Sequence, residues 1–175
     1  MQRLMVSAGT AVPDDEGLKE LAQHLGETLR SQKLRLAAAE SCTGGWIGRV
    51  ATDVAGSSTW FEGSLVTYSN ALKQRWLGVT PEVLTHHGAV SAAVARQMAD
   101  GACEASGCPV SVAVTGIAGP DGGSETKPVG TVWFGFTVPG NGVTEMCCFA
   151  GDREAVRRQT VGHALNRLRE LLAPP

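Results

Sequence analysis

The sequence predicts an α/β fold, a three-layer α/β/α single domain around a mixed β-sheet. Helical and strand-like segments alternate through most of the chain, and two strand-like runs then follow each other near the end around Pro139-Gly140-Asn141-Gly142. No internal repeat or linker-like stretch interrupts this pattern, so residues 1–175 read as one domain with residues 1–15 loosely ordered.

Gly17 to Gln32 repeats apolar residues at Leu18, Leu21, Ala22, Leu25 and Leu29, the spacing of one helix face. Leu34 to Ala39 is a short apolar run, read as a buried strand, and it leads into Glu40-Ser41-Cys42-Thr43-Gly44-Gly45. A helix opens there and runs to about Asp53, Gly56-Ser57-Ser58 is a turn, and Trp60 to Tyr68 is a second strand. Asn70 to Leu77 is a short helix, and Thr80-Pro81 has the cap-plus-proline start of another. Ser91 caps an alanine-rich helix to about Ala105, and Pro109 to Val114 is a strand. A glycine-rich loop spans Thr115 to Val129, and Gly130 to Val138 with Val143 to Phe149 make the hairpin. Asp152 caps a last helix with an apolar face of Val156, Val161, Leu165, Leu168 and Leu172.

Composition narrows the function. Hydrophobic residues are 43% and charged ones 18%, a globular balance. A net charge of −2 argues against general attraction to nucleic acid or an anionic membrane. No apolar run reaches the about 20 residues of a membrane span, and the first residues lack a signal-peptide core. The cysteines, at 42, 103, 108, 147 and 148, are odd in number and suit free thiols in a reducing compartment, so a cytoplasmic location is expected.

Two segments set polar and glycine residues at the ends of apolar elements. In Glu40–Gly45 a strand runs into a small-residue turn and a helix, so backbone N–H groups there can hold an anion. The Ser41 hydroxyl would stand beside donors able to stabilise a tetrahedral oxyanion. Spacing alone favours a plainer role for Ser41 or Thr43, a helix cap. Cys42 is the competing nucleophile, since a helix N-terminus lowers a thiol pKa, but a small buried apolar residue is the commoner use. The second segment, Thr115 to Gly130, has glycines that let backbone approach a ligand closely, without matching a phosphate-loop or dinucleotide fingerprint. Lys73 can serve as base for a serine only if its pKa is lowered, and is otherwise a solvated charge. Tyr68, the one tyrosine, stands at a strand end.

Other patterns are set aside. Ser124-Glu125-Thr126-Lys127 matches S-x-x-K but lies in a loop before Pro128 rather than opening a helix. His86 and His87 lack a zinc-protease pattern, and with His163 they read as surface or capping residues. Trp46, Trp60, Trp76 and Trp133 read as core or interface groups.

Five motifs in order resemble one family. They are Ala39–Gly45, Val66-Thr67-Tyr68-Ser69-Asn70 with Lys73, His87–Ser91, Thr115–Gly123 and Lys127–Val132. The chain resembles, from about Gly17 to its end, the C-terminal domain family of the competence-damage-inducible protein (CinA), whose stand-alone members include nicotinamide-nucleotide amidases. That resemblance implies deamidation of nicotinamide mononucleotide to nicotinate mononucleotide and ammonia, a three-layer α/β fold, no cofactor or metal, and a homo-oligomer. It also implies a serine–lysine mechanism falling on Ser41 and Lys73, with Tyr68 in the same site. Ser41 would attack the carboxamide after losing its proton to neutral Lys73, either directly or relayed through Tyr68, with N–H groups around Thr43, Gly44 and Gly45 holding the oxyanion. The glycine loop with Thr115, Gly116 and Gly119, and Arg153 or Arg157, would bind the phosphate. The rival from another class is a non-catalytic pyridine-nucleotide-binding or partner-docking module.

Overall fold

Local capping decides where the helices begin. The computed structural model describes residues 11–173 and the backbone of a short strand, β1 (Arg3–Leu4). The expectation of loose order over residues 1–15 falls largely outside these. Helix α1 (Asp15–Ser31) starts two residues earlier than the apolar periodicity suggested, because Asp14 accepts the Gly17 N–H at 2.8 Å. Helices α3 (Asn70–Leu77), α4 (Pro81–His87), α5 (Ala92–Ser106) and α6 (Arg153–Leu172) are capped by Ser69, Thr80, Ser91 and Asp152.

The strands are β2 (Leu36–Glu40), β3 (Phe61–Val66), β4 (Val110–Gly116), β5 (Thr131–Val138) and β6 (Asn141–Cys148), with α2 (Trp46–Thr52) after β2. β3 is shorter at both ends than expected, and β4 is longer, so Thr115 and Gly116 belong to the strand rather than to the loop. The hairpin turn narrows to Pro139-Gly140, with Val138 paired to Asn141. The sheet order is β1-β6-β5-β4-β2-β3. β2 runs parallel to β3 and β4, β5 is antiparallel to both β4 and β6, and β1 is parallel to β6.

Helices cover both faces, giving the expected α/β/α layering. One face packs Leu25, Trp60, Phe134 and Leu165 under α1, α2 and α6. The other packs Ala37, Ala39, Val94, Met98 and Ala113 under α5, with α3 and α4 beside it. Successive β2 side chains alternate between these layers: Leu36 and Ala38 in the first, Ala37 and Ala39 in the second. His163, expected at the surface, instead lays its ring 4.5 Å from that of Phe134, because α6 packs on β5 there. Trp60 is fully buried, whereas Trp76 is about half exposed.

Gly101 in α5 sets the seat of α3. A Cβ there would overlap the Leu77 carbonyl at the end of α3, so only glycine permits this approach. Gly101→Ala is expected to destabilise by about 2 kcal/mol despite the better helix propensity of alanine. Urea unfolding measures this, and an unchanged midpoint would mean α3 slides freely.

Candidate active site

Three adjacent parallel strands end together, and the candidate residues follow directly from those ends. Glu40 of β2 pairs with Val66 of β3 and with Val114 of β4. Ser41 therefore lies between Thr67 and Thr115, its N–H donating to the Val114 carbonyl at 3.1 Å. Such C-terminal edges of parallel strands are the usual ligand crevices of α/β sheets.

Strand alternation separates the next side chains. Glu40 turns towards α2 and is fully buried. Its Oε2 accepts from Thr43 Oγ1 (2.6 Å) and from the N–H groups of Gly45 (3.1 Å) and Ile47 (3.0 Å). Its Oε1 accepts from the Gly48 N–H (2.9 Å) and Ser64 Oγ (2.6 Å). Gly44 and Gly45 hold φ of 61° and 97°, which glycine adopts without strain and which wrap the turn around this carboxylate. Glu40 thus satisfies the open N-terminus of α2. Sequence reading gave Glu40 no role, although an acid ending an apolar strand is the signal that could have found it. Glu40→Gln replaces an all-acceptor group with one bearing two N–H donors, which face donors here. A loss of about 3 kcal/mol is expected, and chemical denaturation reads it; a loss below about 1 kcal/mol would mean that water or neighbouring hydroxyls replace the carboxylate.

Ser41 turns to the opposite side, towards α3. Lys73 sits on the inward face of that helix, one turn before the buried Leu77, and is only 1% exposed. Its Nζ lies 2.9 Å from Ser41 Oγ, 2.9 Å from the Thr67 carbonyl and 3.0 Å from the Tyr68 carbonyl. No carboxylate lies within 4.0 Å of Nζ among the described residues. Burial brings the amine down from 10.5 to about 8. The direct contact leaves no gap for a relay: Tyr68 supplies its carbonyl, and its side chain is 63% exposed at the rim. Cys42 lies back in the α1/α2/α6 layer, and burial pushes its thiol up to about 12, which suits packing rather than attack.

Ser41, Tyr68, Lys73, Thr115, Gly116 and Arg153 line one cavity of about 270 Å³. Thr43, Gly44 and Gly45 instead border a second cavity of about 550 Å³, which also includes Arg153. The Thr43 hydroxyl is consumed by Glu40, the Gly44 N–H by the Ser41 carbonyl (3.1 Å), and the Gly45 N–H by Glu40. The expectation that the Gly44 and Gly45 N–H groups face an oxyanion is corrected accordingly, because a tight turn and a buried carboxylate take those two donors. The N–H groups of Cys42 and Thr43 have no backbone acceptor among the described residues. Gly119 does not line the Ser41 cavity; its carbonyl accepts from Arg153 Nη1 at 2.8 Å and so braces that arginine. Thr115 Oγ1 donates to the Ala89 carbonyl at 2.9 Å. Arg157 does not reach into this cavity: Nε bonds the Cys42 carbonyl (3.0 Å) and Nη2 the Thr43 carbonyl (2.9 Å). Among the described residues no three His, Cys, Asp or Glu side chains group as a metal site, and no helix is long and apolar enough to cross a membrane.

The chain is 52% identical over 155 residues to the nicotinamide-nucleotide amidohydrolase PncC of Escherichia coli K12, covering 88% of this chain and 94% of that protein. It is 55% identical over 152 residues to the protein of the same name from Pseudomonas putida, covering 86% and 94%. The crystal structure of a competence-damaged protein (CinA) superfamily member from Escherichia coli superposes with a TM-score of 0.87 at 36% identity, over 93% of this chain and 94% of that one. The family model described as the CinA C-terminal domain matches residues 18–172. The chain belongs to the CinA C-terminal domain family.

Proposed function

We propose that this chain is a nicotinamide-nucleotide amidase that hydrolyses nicotinamide mononucleotide to nicotinate mononucleotide and ammonia, with Ser41 as nucleophile and Lys73 as its base. Its support is the identity to two amidohydrolases of that name. The observation that carries the mechanism is the 2.9 Å contact between Ser41 Oγ and a buried, carboxylate-free Lys73 Nζ.

A neutral lysine has two N–H groups and one lone pair. The Thr67 and Tyr68 carbonyls accept the two N–H groups, so the lone pair faces the Ser41 hydroxyl. Ser41 Oγ attacks the carboxamide carbon as its proton passes to Nζ. The carbonyl oxygen becomes an oxyanion held by the Cys42 and Thr43 N–H groups. Collapse breaks the C–N bond, with the Lys73 ammonium protonating the departing nitrogen. Water then attacks the acyl-enzyme, gives its proton to Lys73, and Ser41 leaves with that proton restored. The substrate's pyridinium makes the carboxamide more electrophilic and opposes protonation of Lys73.

Arg153, braced by Gly119 and shared by the two cavities, is assigned the phosphate, with backbone at Thr115 and Gly116. The exposed Tyr68 ring, at the rim of the cavity, is assigned the pyridinium face. Five free cysteines suit a reducing compartment, the cytoplasm. The domain is assigned a homo-oligomeric state, which light scattering would read. The test of function is ammonia release from nicotinamide mononucleotide by chelator-treated protein. Release supports the amidase; binding without release would replace it with a nucleotide-binding module.

A further inference from the structure

We infer that Arg157 is a positioning residue for this reaction: from α6 it holds the carbonyls of Cys42 and Thr43 and so aims the Thr43 N–H at the oxyanion. The inference rests on Ser41 being that nucleophile.

Arg157 bonds two consecutive carbonyls of a turn that lies 114 and 115 positions away in the chain. In a trans peptide the C=O and N–H point in opposite directions. A Cys42 carbonyl held towards Arg157 therefore turns the Thr43 N–H away from it. Arg157 borders the cavity of Thr43 and Gly44, while Ser41 and Cys42 line the other, so that N–H is turned towards the nucleophile's side. The Thr43 carbonyl, held the same way, aims the Gly44 N–H back, and that group closes on the Ser41 carbonyl at 3.1 Å. The turn is thus gripped through its donors by Glu40 and through its acceptors by Arg157. The Cys42 and Thr43 N–H groups are left without a backbone acceptor, and Arg157 sets the direction of the second.

The surroundings of Arg157 suit this task better than an ion pair or a phosphate contact. Its neighbour Arg158 pairs with Asp15 and Glu154, and Arg167 with Glu145 and Glu170, but Arg157 has no carboxylate within 4.0 Å among the described residues. Its charge is left to polarise the two peptide groups it holds. The Trp46 ring, 5.3 Å from Cζ, fixes the plane of the guanidinium. Two carbonyls side by side match a rigid fork of donors, which a lysine cannot reproduce.

The test compares kcat and KM for nicotinamide mononucleotide in the wild type, Arg157→Ala and Arg157→Lys. Loss of one oxyanion donor costs about 10²–10³ in rate, so Arg157→Ala is expected to lower kcat about 10²-fold with KM within about threefold. Arg157→Lys keeps the charge and one bond and is expected to recover about tenfold of that loss. Calorimetric binding of nicotinamide mononucleotide to Ser41→Ala and Ser41→Ala/Arg157→Ala should give matching affinities. If Arg157→Ala does not fold, the lysine variant carries the test through its own fall in kcat. An unchanged kcat overturns the inference, and so does a raised KM at constant kcat, which would make Arg157 a phosphate ligand. An inactive wild type, or an active Ser41→Ala, would instead overturn the reading on which it rests.

Discussion

Ser41→Ala is expected to end ammonia release from nicotinamide mononucleotide, with a fall in kcat of at least about 10⁴-fold. The Ser41 hydroxyl lines the cavity and is directly hydrogen-bonded to the base, so its loss removes the covalent route. The turn does not depend on it, being held by Glu40 and Arg157, neither of which uses the Ser41 side chain. The variant should therefore unfold at nearly the wild-type midpoint and bind the mononucleotide. Cys42→Ala, by contrast, should keep most of the activity, since that thiol packs in the core. Retention of normal rates by Ser41→Ala would sink the assignment, and loss of all activity in Cys42→Ala with intact folding would transfer it to the thiol.

The second large effect concerns Lys73 and pH. The base works only when neutral, and burial sets its pKa at about 8 instead of 10.5. Below that pKa, kcat/KM should rise about tenfold per pH unit and then level off above it. The pyridinium should move the limb in kcat to lower pH than the limb in kcat/KM. Lys73→Arg retains positive charge but cannot deprotonate, and Lys73→Met has no base at all; both should lose at least about 10³-fold in kcat. A flat profile across pH 6 to 9, or substantial activity in Lys73→Arg, would contradict a lysine base.

The same shift predicts a dependence of stability on pH. Between about 8 and 10.5 the unfolded chain keeps the Lys73 proton and the folded chain has lost it. Unfolding then takes up a proton, so stability rises with pH across this window and is lower below it. Relative to Lys73→Met, the wild type should gain up to about 3 kcal/mol from pH 8 to 10.5, measured by denaturation at each pH. No relative gain would mean the folded amine titrates as it does in the unfolded chain.

The limits of sequence reading follow from interaction range. Asn70–Leu77 was predicted residue for residue, and Thr80, Ser91 and Asp152 were recognised as caps, because a cap acts over three residues of chain. The ends of β3 and β4 were missed because strand length depends on which neighbours offer a ladder. Gly44 and Gly45 were correctly seen as special, but their N–H groups were assigned to a ligand when Glu40 and the turn itself take them.

By itself, then, the sequence determined the layered α/β plan, through the periods of its apolar residues, and the chemical nature of the turn at Ser41. Only the tertiary structure decided that Lys73 meets Ser41 across 32 positions, that Glu40 holds the turn from within, and that Arg157 grips it from the last helix. The reason is physical. Periodicity and capping are written in neighbouring residues, whereas a lysine is a base only after packing has stripped it of water, and a carbonyl has a partner only once two distant elements have met.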